Sequence, residues 1–171
     1  SGQVIKQIVA EFENAGTFGY EVKYQVLQAS DYGVPQSRQR VILIGVRKDL
    51  GLIPEFPLKK HEQGITVNEA ISDLPTIHAA QETETPKYTK KAKNGYQEFM
   101  RKNSKSVKNH ISMRHTQRLI DRFKAIKKGQ SLFDVWETHG SVQRGDPTNK
   151  STVKFSQNNK RLHGDKPAPT I

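Results

Sequence analysis

Ser30-Asp31-Tyr32-Gly33-Val34-Pro35-Gln36-Ser37-Arg38-Gln39-Arg40, followed at once by Val41-Ile42-Leu43-Ile44-Gly45-Val46, is the stretch on which the reading of this 171-residue chain turns. The first part gathers Asp31, Gly33 and Pro35, residues that interrupt regular structure and set turns. The second is a short continuous apolar run, which predicts a strand buried on both faces. Upstream, residues 21–29 (EVKYQVLQA) alternate Val22, Tyr24 and Val26 beside Leu27, the pattern of another strand. Further back, Val4, Ile5, Ile8, Val9 and Phe12 recur at helical spacing within residues 4–15, and Gly16 offers a stop. The opening therefore reads helix, strand, loop, strand.

Beyond it, residues 50–60 (LGLIPEFPLKK) carry Pro54 and Pro57 and are expected to leave the first unit as a linker, with a boundary near residue 50. Thr66 and Glu69 have capping-box spacing ahead of a short helix that Pro75 closes. Residues 76–108 are polar and rich in Lys, Thr and Asn, so their order is expected to depend on a ligand. Residues 115–126 set Leu119, Ile120, Phe123 and Ile126 on one side of a helix, while Arg114, Arg118 and Arg122 recur every four residues as a basic stripe. Ser131 can cap a further short helix running to Trp136, which is most simply core. Residues 138–165 show turn residues with little period, and no internal repeat is visible.

Composition narrows the function. Apolar residues make up 33% and charged ones 26%, so the core is modest. No run approaches the roughly 18 apolar residues of a membrane span, and Ser1-Gly2-Gln3 resembles no secretory leader. An intracellular, cytoplasmic setting is expected, and the absence of an initiator Met points to a processed product or a segment of something longer. Cysteine is absent, which excludes disulfides, thiolate metal sites and a cysteine nucleophile within these residues. The net charge of +11 implies a polyanionic partner, nucleic acid first of all. Between Pro86 and Gly129 stand fourteen Lys or Arg against Glu98 and Asp121, so the excess charge is concentrated there. That stretch reads either as a phosphate-contacting surface or as a solvated basic face.

Ala29 and Asp31 to Gln36, leading into Gln36, Arg38 and Arg40, resemble the eighth motif of the cytosine-5 DNA methyltransferases, a Q-x-R-x-R segment with an A-x-D-Y-G-V-P-Q lead. Gly19-Tyr20 fits that family's approach to the motif, and Thr66-Val67, Glu69-Ala70-Ile71 and Asp73-Leu74-Pro75 fit the segment after it. Asn109-His110, the Arg-bearing helix and Lys128-Gly129 resemble the start of the family's target-recognition region. Arg161-Leu162 and Lys166 to Ile171 (KPAPTI) resemble its end. The resemblance implies an α/β fold: residues 1–50 as the last helix and strand pair of a Rossmann-like methyltransferase sheet dependent on S-adenosylmethionine, and 51–171 as an irregular α+β target-recognition domain. It implies a parent enzyme that methylates C5 of cytosine in a specific duplex sequence, as in a bacterial restriction-modification system acting at the nucleoid.

An enzyme that modifies a base inside a duplex must extrude it, at a cost of a few kcal/mol, and fixed cationic donors help hold it out. Residues two apart on an extended segment share a side, so Arg38 and Arg40 could both face a phosphate or the flipped base. The resemblance sets Arg40 near the target cytosine and its phosphate; Arg38 reads equally as a salt-bridged brace at the strand entrance. Gln36 is expected to stabilise the turn by a hydrogen bond, and Pro35 to fix it. The resemblance gives Thr170 a place on the DNA backbone beside the flipped base, against a frayed terminus. Arg114, Arg118, Arg122 and Arg161 are the remaining DNA-binding candidates, through phosphates or guanine edges, against solvated charge. Tyr88, Tyr96 and Phe99 read as packing rather than base stacking. His61, His78, His110 and His115 lack Cys or carboxylate partners at ligand spacing, so no metal is expected.

The family's reaction needs a cysteine thiolate to attack cytosine C6. By the resemblance, its Pro-Cys and Glu-Asn-Val motifs and the Gly-rich loop for S-adenosylmethionine precede residue 1, and its ninth motif follows Ile171. No catalytic residue and no cofactor are therefore expected in this chain, and its partners are duplex DNA and the missing catalytic half. Two rivals remain: a stand-alone basic nucleic-acid-binding module, and one subunit of a split methyltransferase.

Overall fold

A computed structural model describes residues 2–79, 87–140, 142–143, 146–150 and 159–170. Two compact units emerge, one formed by residues up to Gly64 together with Thr170, the other by Ile65 to Pro169.

The first unit opens with α1 (Gly2–Glu13), whose Ile5, Ile8 and Val9 are half-buried. The chain turns through Gly16 (φ 65°) and the buried Gly19 (φ 63°), where an added Cβ would overlap the Glu13 carbonyl. Strands β1 (Tyr20–Gln28) and, beyond the motif loop, β3 (Gln39–Arg47) then pair antiparallel, in register from Tyr20 opposite Arg47 to Gln28 opposite Gln39. Lys48, just past β3, returns to the helix end: its N–H donates to Gly19 O at 3.1 Å and its ammonium to Glu13 O at 3.0 Å. The end carbonyl of α1 thus gains a cation, which helix polarity favours. Phe12 meets Tyr20 edge to face at 6.1 Å.

The expectation that residues 41–46 are buried on both faces is corrected: Val41 is 45% exposed and Ile42 39%. Apolar side chains do occupy both faces, since facing residues in an antiparallel pair share a side: Tyr24, Val26, Val41 and Leu43 on one, Leu27, Ile42, Ile44 and Val46 on the other. Among the described residues, however, β3 pairs only with β1, and a lone ribbon has too little material to cover both sides.

The motif loop starts as a 3-10 turn (Ala29–Tyr32) closed by Gly33 (φ 83°), then passes through β2 (Gln36–Ser37). The end of the segment at residues 50–60, read from sequence as linker, packs back on it together with His61: the N–H groups of Lys60 and His61 donate to Asp31 O at 2.9 and 3.1 Å, and Lys59 pairs with the Asp31 carboxylate at 2.7 Å.

In the second unit the capping box forms as read. Glu69 N–H donates to Thr66 Oγ1, and Thr66 N–H to Glu69 Oε2, ahead of α2 (Val67–Ile71). Residues 87–108, expected to lack order of their own, are organised instead; residues 80–86 of the expected segment lie outside the described residues. Asn94 caps α3 (Gly95–Arg101), and the buried Gln97 donates to Glu69 O at 2.8 Å and Ser72 Oγ at 3.2 Å. Arg101 joins Asp73 at 2.8 Å beneath the Tyr88 ring, which lies 3.7 Å from the guanidinium. Gln97, Asn94 and Arg101 thus tie this polar segment to the α2 region.

Helix α4 (Gln117–Ala125) leads into a small core of Ile126, Leu132 and Trp136, with Val135 against it, so Trp136 is core as expected. The Ser131–Asp134 capping box opens a 3-10 turn (Leu132–Val135) that continues as α5 (Trp136–His139). An irregular antiparallel ribbon of β4 (Val142–Gln143) and β5 (Asp146–Lys150) follows, and β6 (Ala168–Pro169) comes last. Gly164 O and Lys166 O accept the N–H groups of Asn68 and Val67, closing the unit at the start of α2.

Candidate nucleic-acid interface

Two segments far apart in sequence meet in the first unit. The Thr170 hydroxyl donates to Ser37 O at 3.0 Å, beside the motif loop. That loop is braced from several sides. Ala29 N–H donates to Arg38 O at 2.9 Å, and Gln28 Nε2 to Ser37 Oγ at 3.0 Å. The turn bond expected of Gln36 comes from its main chain, whose N–H donates to Val34 O at 2.7 Å. Arg38 is half-buried, and among the described residues no carboxylate bridges it. Arg40 is exposed at the start of β3, with Nη1 turned back on Gln39 O at 2.7 Å.

The sequence reading missed the clamp on Asp31, although Asp31 stands inside the quoted motif. Its carbonyl and carboxylate are both engaged by residues 59–61, and the Lys59 ammonium is stabilised in its charged form by the Asp31 bond. His61 packs against Gly33, where an added Cβ would lie 3.1 Å from its Nε2. A cavity of about 490 Å³ opens beside Asp31, Lys59, Lys60, His61 and Glu62.

The other expected DNA contacts belong to the second unit and do not form one stripe. Arg114 precedes α4 rather than riding on it, and Arg118 is exposed on its first turns. Arg122 is buried: Nε donates to His139 O at 2.8 Å and Nη2 to Gly140 O at 3.2 Å. Burial, and secondarily the charge of Arg118, push its pKa below the ordinary arginine value. Arg161 donates from its guanidinium to Phe123 O, and its main chain pairs with Gln130 and Gly129. With Phe123, Ile126, Asn159 and Lys160 it lines a cavity of about 210 Å³. Phe99 is 72% exposed, and Tyr96 is half-buried. Among the described residues no cluster of three or more His, Cys, Asp or Glu could hold a metal ion, and no helix is long and apolar enough to cross a membrane.

Residues 1–168 match the family described as C-5 cytosine-specific DNA methylase, and the chain belongs to that family. It is 49% identical, over its whole length, to the type II methyltransferase M.DdeI of Desulfomicrobium norvegicum, and covers 42% of that protein. It is 30% identical to the type II methyltransferase M1.HphI of Haemophilus parahaemolyticus, again over its whole length, covering 36% of it. The chain thus spans less than half the length of these curated relatives. In fold it is similar to a crystal structure described as a DNA modification methyltransferase encoded within a prophage (E. coli), with a TM-score of 0.60, 21% identity, and coverage of 99% of this chain and 47% of that one.

Proposed function

We propose that this chain is the DNA-recognition portion of a restriction-modification enzyme that transfers a methyl group from S-adenosylmethionine to C5 of cytosine in a specific duplex sequence. The observation that carries the reading is the Thr170–Ser37 bond: a hydroxyl suited to a phosphate sits beside the loop that supplies Gln36, Arg38 and Arg40. Arg40, exposed and permanently charged, holds the extruded cytosine or its phosphate, while the Asp31 clamp keeps the loop rigid enough to do so. In the second unit Arg114 and Arg118 contact DNA, and Arg161 braces the end of α4.

Residues 1–50 then complete a Rossmann-like sheet, and 51–171 form the target-recognition domain. Relatives more than twice as long and a ribbon apolar on both faces support a catalytic half, in the same polypeptide or a separate subunit, that covers the ribbon. S-adenosylmethionine supplies the methyl group and belongs to that half. The first unit's cavity is a poor fit for it, because Asp31, Lys59, Lys60, His61 and Glu62 line it and no Phe, Tyr or Trp is there to stack on the adenine. Without a cysteine the chain alone does not methylate. Selection of bound duplexes from a random pool, at several salt concentrations, tests the reading. Enrichment of a cytosine-containing motif with steep salt dependence is expected, whereas salt-sensitive binding without enrichment favours a generic basic module. Restored methylation on adding the missing half in trans would identify a split enzyme.

A further inference from the structure

Arg122 is the expected DNA contact that the fold uses differently, and the difference is informative. A buried guanidinium is retained only where its donors are satisfied, and among the described residues its acceptors are two consecutive carbonyls, those of His139 and Gly140. These close α5 and lie two and three residues ahead of β4. Gly140 also lies close against Trp136: an added Cβ there would lie 2.6 Å from Trp136 O and 3.0 Å from its ring. The point from which the β4–β5 ribbon departs is therefore pinned twice, by Arg122 from α4 and by a core tryptophan. A two-stranded ribbon is the kind of element the major groove of duplex DNA admits.

We propose that Arg122 is a positioning residue for sequence recognition: it fixes Gly140 and thereby aims the β4–β5 ribbon at the bases without touching DNA itself. This rests on the reading of the second unit as a DNA-recognition domain. Arg122→Lys keeps the charge but replaces the planar guanidinium fork that spans the two carbonyls with a compact ammonium that lacks this geometry. Gly140→Ala attacks the same point from the Trp136 side and keeps the proposal open to test if the first variant folds poorly.

The experiment has two readouts on the purified chain. Amide hydrogen exchange at residues 140–150 is expected to quicken by about tenfold in both variants, with α1, β1 and β3 unchanged. Unchanged exchange at 140–150 would overturn the anchor, whatever the DNA result. Discrimination between the selected and a scrambled duplex is expected to fall by about tenfold in Arg122→Lys, with the slope of log affinity against log salt unaltered. Full discrimination despite quickened exchange overturns the role in recognition. In Arg122→Met, a salt slope lower by about one identifies a phosphate contact instead and also overturns it. Wild-type protein that selects no sequence refutes the recognition-domain reading, and the exchange result still decides on the anchor.

Discussion

Single side chains carry opposite duties here although they look alike in sequence. Arg118 and Arg122 are one helical repeat apart, yet one faces solvent and the other caps carbonyls inside. Arg118→Ala is therefore expected to leave stability almost unchanged and to lower the salt slope of DNA binding by about one, measured by titration at several ionic strengths. Gly129 is a different kind of residue. It holds φ 80° against the His163 ring, in space an added Cβ would need. Gly129→Ala is expected to cost about 1–3 kcal/mol in urea unfolding, from backbone strain and overlap together. Spacing alone announces neither case, because which arginine turns inward depends on where Gly140 arrives, and that depends on packing between segments distant in sequence.

Elements were more legible. The helix at residues 2–13, the two long strands and the Thr66 cap all follow from patterns of period and spacing, with ends displaced by a residue or two. Helix α3 was not legible, since its buried Gln97 and its Asp73–Arg101 pair present polar residues where an apolar stripe would be sought. The capping boxes make a pH prediction. Hydrogen bonds from Thr66 hold the Glu69 pKa below the ordinary carboxylate value, and those from Ser131 do the same for Asp134. Both carboxylates stabilise the fold while ionised, so their contribution is complete above the unfolded-state pKa and is lost as pH falls through the lowered folded value. Thr66→Ala is expected to cost about 1 kcal/mol at neutral pH and less in acid, read from denaturation midpoints at both.

Across the whole molecule, charge and apolar surface divide the work. The +11 net charge suits a polyanionic partner, and the ribbon leaves apolar side chains exposed. Val26, 57% exposed on that ribbon, makes the second claim testable. Val26→Lys is expected to leave the melting temperature within a few degrees, to weaken binding of a hydrophobic fluorescent dye, and to abolish complementation by a catalytic half. Intact complementation by this variant would count against the ribbon as the surface proposed to meet a catalytic half.

The bond between Thr170 and Ser37 has a consequence for how such a protein can change. The chain leaves the first unit after Gly64 and is back in it at Thr170. Everything between is, in effect, one long excursion whose ends are fixed. Because closing a flexible loop twice as long costs only about 0.6 kcal/mol more, residues can be gained or lost in the exposed connections of this excursion with little disturbance to the loop at Ser37. Such a layout lets the intervening segment vary while the ends that meet at Ser37 and Thr170 stay put.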